Sequence, residues 1–244
     1  MPDRPAPHVF RPHARALVVA AHPDDPEFLF GATIAMLVSE GTSVKYVICS
    51  DGANGQRNLA LTNEEVAELR ADEQRAAAAA LGVAGVTFLG FSDGRLEATL
   101  DLRRAIAREI RRERPDLVLT HYPKRVLELP LEASHPDHVA VGDATLSAIF
   151  PDATNGRAFP DMVSEGLTPH RVREVWIPGY ECPNHYVDAS LLMERKYVAI
   201  QCHRSQLEAP PVGEVPPWVA EWMRRAGTAA GYEYAENYRR LRTG

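Results

Sequence analysis

Short apolar runs rich in β-branched residues alternate with longer amphipathic stretches along the chain. In the first half the runs are 16–21 (ALVVAA), 44–50 (VKYVICS), 86–91 (VTFLGF) and 117–122 (LVLTHY). Such continuous runs are typical of strands buried on both faces. The stretches that follow them predict helices over 28–40, 62–81, 100–113 and 136–150. This half therefore predicts a repeating strand–helix pattern.

Residues with known capping preferences mark the boundaries of these helices. Thr62 and Glu65 have the spacing of a capping box, and Gly82 suits the left-handed position after the last turn. Pro115 ends the helix before it, whereas Pro136 suits the first position of the helix that it begins. The local signals thus agree with the periodicity.

In the second half, 173–180 and 186–189 predict strands, and 191–203 and 217–242 predict helices. The alternation as a whole predicts an α/β fold with three layers, in which helices cover both faces of a mostly parallel, Rossmann-like sheet. We expect a single domain over 1–244, with the proline-rich residues 1–14 as a flexible N-terminal extension.

The composition excludes several classes of protein. Hydrophobic residues make up 45% and charged residues 25% of the chain, which is typical of a globular domain. A net charge of −6 argues against general attraction to nucleic acid or to an anionic membrane. The arginines between 103 and 114 alternate with Glu109 and Glu113, and we interpret them as a solvated helix face.

Cysteine usage and the absence of targeting signals indicate a cytoplasmic protein. Cys49, Cys182 and Cys202 are too few and too scattered for a disulfide framework. The N-terminal residues include no apolar signal segment, and no apolar run has the length that spans a bilayer. We therefore expect a reducing compartment and no membrane insertion.

Polar residues follow each of the first four predicted strands. In parallel α/β sheets, ligands bind beyond the carboxyl ends of the strands, so these loops should meet at one edge. They carry His22, Asp24, Asp25, Asp51, Asn54, Ser92, Asp93, His121 and the run that leads to His135. This edge of the sheet is the predicted functional site.

The chemistry of these loops suits a cation. The first loop has no glycine before Gly31, so it lacks the flexibility with which a phosphate-binding loop approaches its ligand. His135 and His138 are three residues apart at the start of a helix and can share one face. Two imidazoles and one carboxylate, with a position open for water, match a catalytic zinc site. The spacing alone leaves open which carboxylate would bind.

Each fragment also has a more ordinary explanation. An isolated His-x-x-His pair is common without a metal, and two adjacent aspartates after a strand are commonly a helix cap or a turn. The placement of both fragments at the same predicted edge favours a site. Among the weaker candidates, Arg57 and His121 would contact substrate. His185 would face the cleft, and His203 would bond to backbone nearby. The expected surface histidines are His8, His13 and His170.

Two motifs carry a resemblance to a known family. The sequence AHPDD at 21–25 and the sequence HPDH at 135–138 resemble the hallmarks of the PIG-L/LmbE-like N-acetylglucosaminyl deacetylases. Three further segments are similar to family patterns: R-x-x-E at 70–73 before LGV at 81–83, FLGFSDG at 88–94, and Lys196 followed by HRSQ at 203–206. The resemblance runs from about residue 16 to residue 206 and implies an LmbE-like fold.

The resemblance also implies a role for each matching residue. His22, Asp25 and His138 would bind the metal, and Asp24 would be the general base. His135 would stabilise the oxyanion or act as an acid, Asp137 would orient it, and the residues that would face the sugar are Arg70 and Asp93. Many members read AHPDDE, whereas here Pro26 separates Asp25 from Glu27, which leaves Glu27 without an implied role.

The implied activity is hydrolytic removal of an N-acetyl group from a substrate that contains N-acetylglucosamine. One Zn²⁺ per chain is the implied cofactor, with Fe²⁺ as an alternative, and a homo-oligomer such as a trimer or hexamer is the implied assembly. The loops 123–134 and 151–169 are expected to select the substrate.

Three alternatives stay open. A zinc amidase could act on another N-acyl group or on a thiol conjugate. A non-haem iron oxygenase also uses two histidines and one carboxylate, but usually as H-x-D on a β-barrel. A non-catalytic sugar-binding module on a Rossmann-like sheet would need no metal.

Overall fold

The computed structural model describes residues 13–56, 58–207 and 214–243. The predicted strand–helix repeat is confirmed over the first half of the chain. The elements there are β1 (Arg15–Ala20), α1 (Asp25–Ser39), β2 (Ser43–Ser50), α2 (Asn63–Leu81), β3 (Gly85–Phe91), α3 (Leu100–Glu113), β4 (Leu117–Thr120) and α4 (Pro136–Ser147). Those that follow are α5 (Pro160–Ser164), β5 (Glu174–Pro178), β6 (His185–Asp188), α6 (Met193–Ile200), α7 (Pro217–Ala230) and β7 (Ala235–Arg242).

The seven strands in the described part of the chain belong to one sheet, in the order β3-β2-β1-β4-β5-β7-β6. Neighbouring strands from β3 to β5 are parallel, whereas β7 runs antiparallel to both β5 and β6. The predicted α/β class and the mostly parallel sheet are therefore confirmed. Because β1 lies between β2 and β4, the loops after these central strands end side by side.

Helices cover both faces of the sheet, because successive side chains of a strand point to opposite faces. From β1, Leu17 and Val19 pack with α3 and α4. Ala16, Val18 and Ala20 pack on the other face with α1 and α2. The capping box of Thr62 and Glu65 starts α2, and Gly82 ends it in the left-handed conformation, as predicted.

The prediction of one helix over 217–242 is wrong. Helix α7 ends at Ala230, because Gly231 adopts a left-handed conformation with φ of 82°. The next residues form β7, whose inward-facing position Glu236 holds a carboxylate instead of an apolar side chain. That carboxylate lies 2.7 Å from Nζ of Lys196, so a buried ion pair concealed the strand pattern.

The expectation that the α3 arginines form a solvated face is wrong for Arg111. This side chain is 1% exposed and donates hydrogen bonds to the backbone carbonyls of Asp152 and Asn155. Arg103 pairs with the buried carboxylate of Asp152, and Arg104 pairs with Asp161. The segment 151–169, expected to select the substrate, thus packs along α3.

Two histidines that were expected elsewhere are buried against Trp176 of β5. His13, predicted at the surface, packs edge-on against the ring of Trp176. His185, predicted in the cleft, lies 4.3 Å from the same ring, between centroids. The expected flexible extension covers residues 1–14, but residues 1–12, which include His8, lie outside the described part of the chain. Within the extension, Ala14 donates its N–H to the carboxylate of Asp116. Among the described helices, none is long and apolar enough to cross a membrane.

Candidate active site

The loops after β1, β3 and β4 meet at the carboxyl edge of the sheet, as predicted. Nε2 of His22 lies 3.1 Å from a carboxylate oxygen of Asp93 and 3.2 Å from one of Asp137. Nε2 of His138 lies 3.1 Å from a carboxylate oxygen of Asp25. Residues that are more than a hundred positions apart in sequence therefore share one site.

The residues at the centre of this site have the donor atoms of a metal centre. Among the predicted ligands, Nδ1 of His22 lies 3.3 Å from Nε2 of His138 and 3.4 Å from the Asp25 carboxylate. Three overlapping sets of side chains bring their donor atoms within 4.8 Å of one another: His22 with His135 and His138, Asp25 with His121 and His138, and His22 with Asp93 and Asp137. Imidazole and carboxylate donors suit Zn²⁺ and Fe²⁺.

The electrostatics of the centre favour positive charge. Burial opposes protonation of His22, but its hydrogen bonds with Asp137 and two further carboxylates outweigh burial and raise its pKa well above the usual value. Burial likewise opposes ionisation of Asp25, yet the neighbouring imidazoles of His138 and His121 hold its pKa well below the usual value. The three carboxylates around His22, those of Asp137, Asp25 and Asp93, would compensate the charge of a bound cation, which would take the place of the imidazole proton.

Asp24 stands beside this centre in an unusual backbone conformation. Its φ is 106°, a value that is uncommon for residues other than glycine. Its N–H donates to Oε1 of Gln74 at 2.9 Å, and its carboxylate lies 3.3 Å from Nη2 of Arg70. Burial and the charge of Asp25 raise the pKa of Asp24, while the guanidinium of Arg70 opposes that rise.

His121 contacts two of the predicted metal ligands, Asp25 and His138. Its Nε2 accepts the backbone N–H of Ala21 at 2.9 Å, and its ring stacks on that of His138 with centroids 4.3 Å apart. Burial and the charge of His138 lower its pKa to about 4, so the imidazole is neutral near pH 7. The side chain of His121 is 1% exposed. Its predicted contact with substrate stays a prediction.

His135 and Asp137 begin α4. The backbone N–H of Asp137 donates to Nδ1 of His135 at 3.2 Å, and the Asp137 carboxylate accepts the N–H of Gly94 at 2.8 Å. Burial, with the nearby charge of His22, lowers the pKa of His135. Asp137 thus orients His135 through its backbone, whereas its side chain contacts His22.

The predicted sugar-facing residues lie deep in the loops. Arg70 is 3% exposed, and its terminal nitrogens donate to the carbonyls of Gly52 and Pro23. Asp93 accepts the backbone N–H of Asn54 at 3.0 Å, and burial opposes ionisation, but its hydrogen bond with His22 lowers its pKa. Arg57, the other predicted contact, lies outside the described residues. Contact of these side chains with substrate stays a prediction.

Sequence reasoning missed a buried polar group next to the site. Glu27, Gln74 and His203 are all fully buried. Nε2 of Gln74 donates to both carboxylate oxygens of Glu27, and Nε2 of His203 lies 3.0 Å from the same carboxylate. His203 was expected to bond to backbone, but its partner is a side chain. Gln74 belongs to no motif, and its position next to Glu73 of the R-x-x-E pattern in α2 is the one sequence signal that could have indicated it.

Comparison with known proteins agrees with this geometry. Residues 17–149, which include both motifs, match the family model described as PIG-L: GlcNAc-PI de-N-acetylase. The diacetylchitobiose deacetylase of Thermococcus kodakarensis is 32% identical over 92% of this chain and 82% of its own length.

A second relative and a solved structure extend the comparison. The 4-oxalmesaconate hydratase of Pseudomonas putida is 29% identical over 80% of this chain and 75% of its own length. The N,N'-diacetylchitobiose deacetylase structure from Pyrococcus horikoshii has a TM-score of 0.87 and 28% identity, and covers 94% of this chain and 84% of that one. With its two motifs at the carboxyl edge of the same sheet, this chain belongs to the PIG-L (GlcNAc-PI de-N-acetylase) family.

Proposed function

We propose that the protein is a zinc-dependent hydrolase that removes the N-acetyl group from a substrate containing N-acetylglucosamine. One observation carries the proposal: a second carboxylate, Asp24, stands beside the histidine and carboxylate donors with its pKa raised by burial. A metal centre with an adjacent base is the arrangement that metal-assisted amide hydrolysis requires. The deacetylase relatives support the same reaction.

The residues that would hold the metal are His22, Asp25 and His138, whose donor atoms lie 3.1 to 3.4 Å apart in pairs. When bound, zinc lowers the pKa of a water molecule and polarises an acyl oxygen. The same donors would accept Fe²⁺, so the native metal is part of the proposal.

Asp24 is the proposed general base. Its carboxylate would take a proton from the attacking water, and its raised pKa brings it closer to the operating pH than an ordinary aspartate. Arg70 would keep the carboxylate oriented through their 3.3 Å contact. The proton would then pass to the departing amine, so that the C–N bond breaks and acetate and a free amine result.

His135 is the proposed donor to the developing oxyanion. Because its Nδ1 accepts the N–H of Asp137, a neutral His135 carries its proton on Nε2. That N–H can donate to a negatively charged oxygen without prior protonation of the ring. In this proposal Asp137 positions the imidazole through its backbone.

The substrate is proposed from the relatives, two of which are named for deacetylation of diacetylchitobiose. Another N-acyl group or a thiol-conjugate amide would use the same machinery. The hydratase relative defines a different outcome, since addition of water to an unsaturated acid releases no amine. The absence of any turnover, with glycan binding retained, would instead indicate a sugar-binding module.

We also propose a cytoplasmic homo-oligomer, a trimer or a hexamer. Exposed leucines on the loops after β2 and β4 support contact between copies: Leu59, Leu127 and Leu131. Cys49 is buried and free, which fits a reducing compartment. Light scattering coupled to size-exclusion chromatography measures the assembly directly, and a monomer at micromolar concentration would contradict it.

The decisive experiment combines metal analysis with an amine-release screen. Purified protein would be assayed for bound zinc and iron, then tested on N-acetylglucosamine, N,N'-diacetylchitobiose, other N-acyl amides and an unsaturated dicarboxylic acid. We expect amine release from at least one N-acetylated sugar, abolished by a chelator and restored by zinc. Metal-loaded protein that releases amine from none of the sugars would rule out the proposed reaction, and hydration of the acid would replace it.

A further inference from the structure

Behind Asp24, the buried side chains of Glu27, Gln74 and His203 form a chain of hydrogen bonds. The direction of each bond is set by which groups can donate and which can only accept. A carboxylate only accepts hydrogen bonds, so the amide nitrogen of Gln74 must face Glu27. Its distances to the two Glu27 oxygens are 3.0 and 3.1 Å. The amide oxygen of Gln74 must therefore point the other way, where it accepts the N–H of Asp24 at 2.9 Å.

The Glu27 carboxylate is itself held in place. Nε2 of His203 lies 3.0 Å from Oε2 of Glu27, and this contact joins residues 176 positions apart. Pro26 occupies the first turn of α1, where its missing N–H costs no helical hydrogen bond, and the side chain of Glu27 that follows it is fully buried. Glu27 thus places a charged side chain behind the loop that carries Asp24.

A fully buried carboxylate is costly, and an apolar pair would fill the same space with less desolvation. An apolar pair, however, could not orient a hydrogen-bond acceptor toward the N–H of Asp24. The positive φ of Asp24 is strained for a residue other than glycine and persists only where the surroundings hold it. The carbonyl of Asp24 accepts the N–H groups of Glu27 and Phe28, so Gln74 restrains the N–H side of a residue already held on its carbonyl side.

We propose that Glu27, acting through Gln74, is a positioning residue that keeps the Asp24 backbone in its left-handed conformation and so presents the Asp24 carboxylate. The proposal rests on the role of Asp24 in the proposed function. Among the described residues, the hydrogen bonds of the Glu27 carboxylate go to Gln74 and His203 and not to the predicted metal ligands. Its effect on turnover is therefore transmitted by two hydrogen bonds, from Glu27 to Gln74 and from Gln74 to Asp24.

Glu73 provides a matched control for this proposal. It is also a buried carboxylate behind the site, and it accepts the backbone N–H and the hydroxyl of Ser205 at 2.8 and 2.6 Å. Both carboxylates thus fasten the 203–206 segment, but only Glu27 is connected to Asp24. Loss of a purely structural contact would affect Glu27→Gln and Glu73→Gln alike.

The first measurement compares turnover. Glu27→Gln lets the Gln74 amide rotate, so we expect kcat on the amine-releasing substrate to fall about 10- to 100-fold while KM changes by less than about twofold. Zinc content should match the wild type. Glu73→Gln should keep kcat within about threefold of the wild type, because its contacts do not reach the reacting groups.

The second measurement does not depend on activity. Hydrogen exchange of the Asp24 amide, followed by NMR, should be at least about tenfold faster in Glu27→Gln than in Glu73→Gln, because the Gln74 acceptor is no longer oriented. If Glu27→Gln folds poorly, Gln74→Met can replace it, because this variant removes the acceptor of the Asp24 N–H directly. It should likewise lower kcat and accelerate exchange of the Asp24 amide. In Glu27→Gln/Gln74→Glu the hydrogen bonds are restored with reversed polarity, and slow exchange should return.

Equal losses of kcat in Glu27→Gln and Glu73→Gln, or an unchanged Asp24 exchange rate in Glu27→Gln, would overturn the positioning role. Failure of the proposed function gives a different result: wild-type protein that releases no amine from any N-acetylated sugar. The exchange comparison still decides the role of Glu27 in that case, so the two failures are distinguishable.

Discussion

Asp24→Asn tests the proposed base with the least change in shape. The asparagine side chain keeps the size of the aspartate and can still accept a hydrogen bond, but it has no basicity near neutral pH. Arg70 loses a carboxylate partner at 3.3 Å but retains Asp93 at 3.8 Å and its bonds to two backbone carbonyls. The N–H of residue 24 keeps its acceptor on Gln74. The fold and the metal ligands should therefore persist.

The expected magnitudes differ for turnover and for stability. Removal of a general base costs about 10²- to 10⁴-fold in kcat, which is about 2.7–5.4 kcal/mol in the barrier. The folded state exchanges one charge-assisted contact for a neutral one among several that hold Arg70, so we expect a loss of about 1 kcal/mol in the free energy of unfolding. Turnover should therefore fall far more than stability.

The assay measures kcat by amine release, zinc per chain by mass spectrometry and unfolding by heat. Asp152→Asn is the matched control, because Asp152 is also a buried carboxylate whose partner is an arginine, Arg103, at 2.9 and 3.0 Å. It lies on the α3 side of the molecule, so it should lower the Tm and leave kcat near the wild-type value. Near-native kcat for Asp24→Asn with zinc bound would refute the assignment of the base.

Three further predictions concern the same loops. The Arg70 guanidinium lowers the pKa of Asp24, and only the ionised carboxylate accepts a proton. Arg70→Gln should therefore move the acid limb of the pH–kcat profile to higher pH, and Arg70→Lys should move it less. An acid limb that moves in neither variant would contradict the pairing of Arg70 with Asp24. Gly55→Ala should cost about 1–3 kcal/mol in thermal unfolding, since its Cβ would lie 2.8 Å from Cζ of Arg70. Gly85→Ala, which meets nothing within 4 Å, should be neutral to about 0.5 kcal/mol, and equal losses would exclude the clash. His22→Ala should reduce bound zinc well below that of the wild type in metal analysis, and full occupancy would exclude His22 as a ligand.

The position of the site could be predicted because one topological rule governs it. Parallel strands place their carboxyl ends at one edge, so polar residues after separate strands are brought together regardless of their distance in sequence. His22 and Asp137 meet at 3.2 Å for this reason. The periodicity of the apolar runs was enough to identify the strands that carry them.

The groups behind the site could not be predicted in the same way. Glu27 and His203 are partners across most of the chain, and Glu236 and Lys196 are partners between β7 and α6. Each side chain, read alone, is a polar residue of the kind that usually lies at the surface. Only its partner makes burial possible, and the pairing has no local sequence signal. For the same reason, β7 was interpreted as the end of a helix.

Because β7 lies between β5 and β6, β6 and the outer edge of β5 can be paired only after β7 has been synthesised. Strands β1 to β5 each find a neighbour among strands made before β6, but β6 pairs with β7 alone. A nascent chain that has reached residue 230 therefore carries β6 without a partner, an open edge on β5, and Lys196 without the carboxylate of Glu236. Such an edge is a template for pairing with other chains. Residues 235–242 thus cover this edge only once β7 has been made, and a chain that ends before residue 235 would be prone to aggregation.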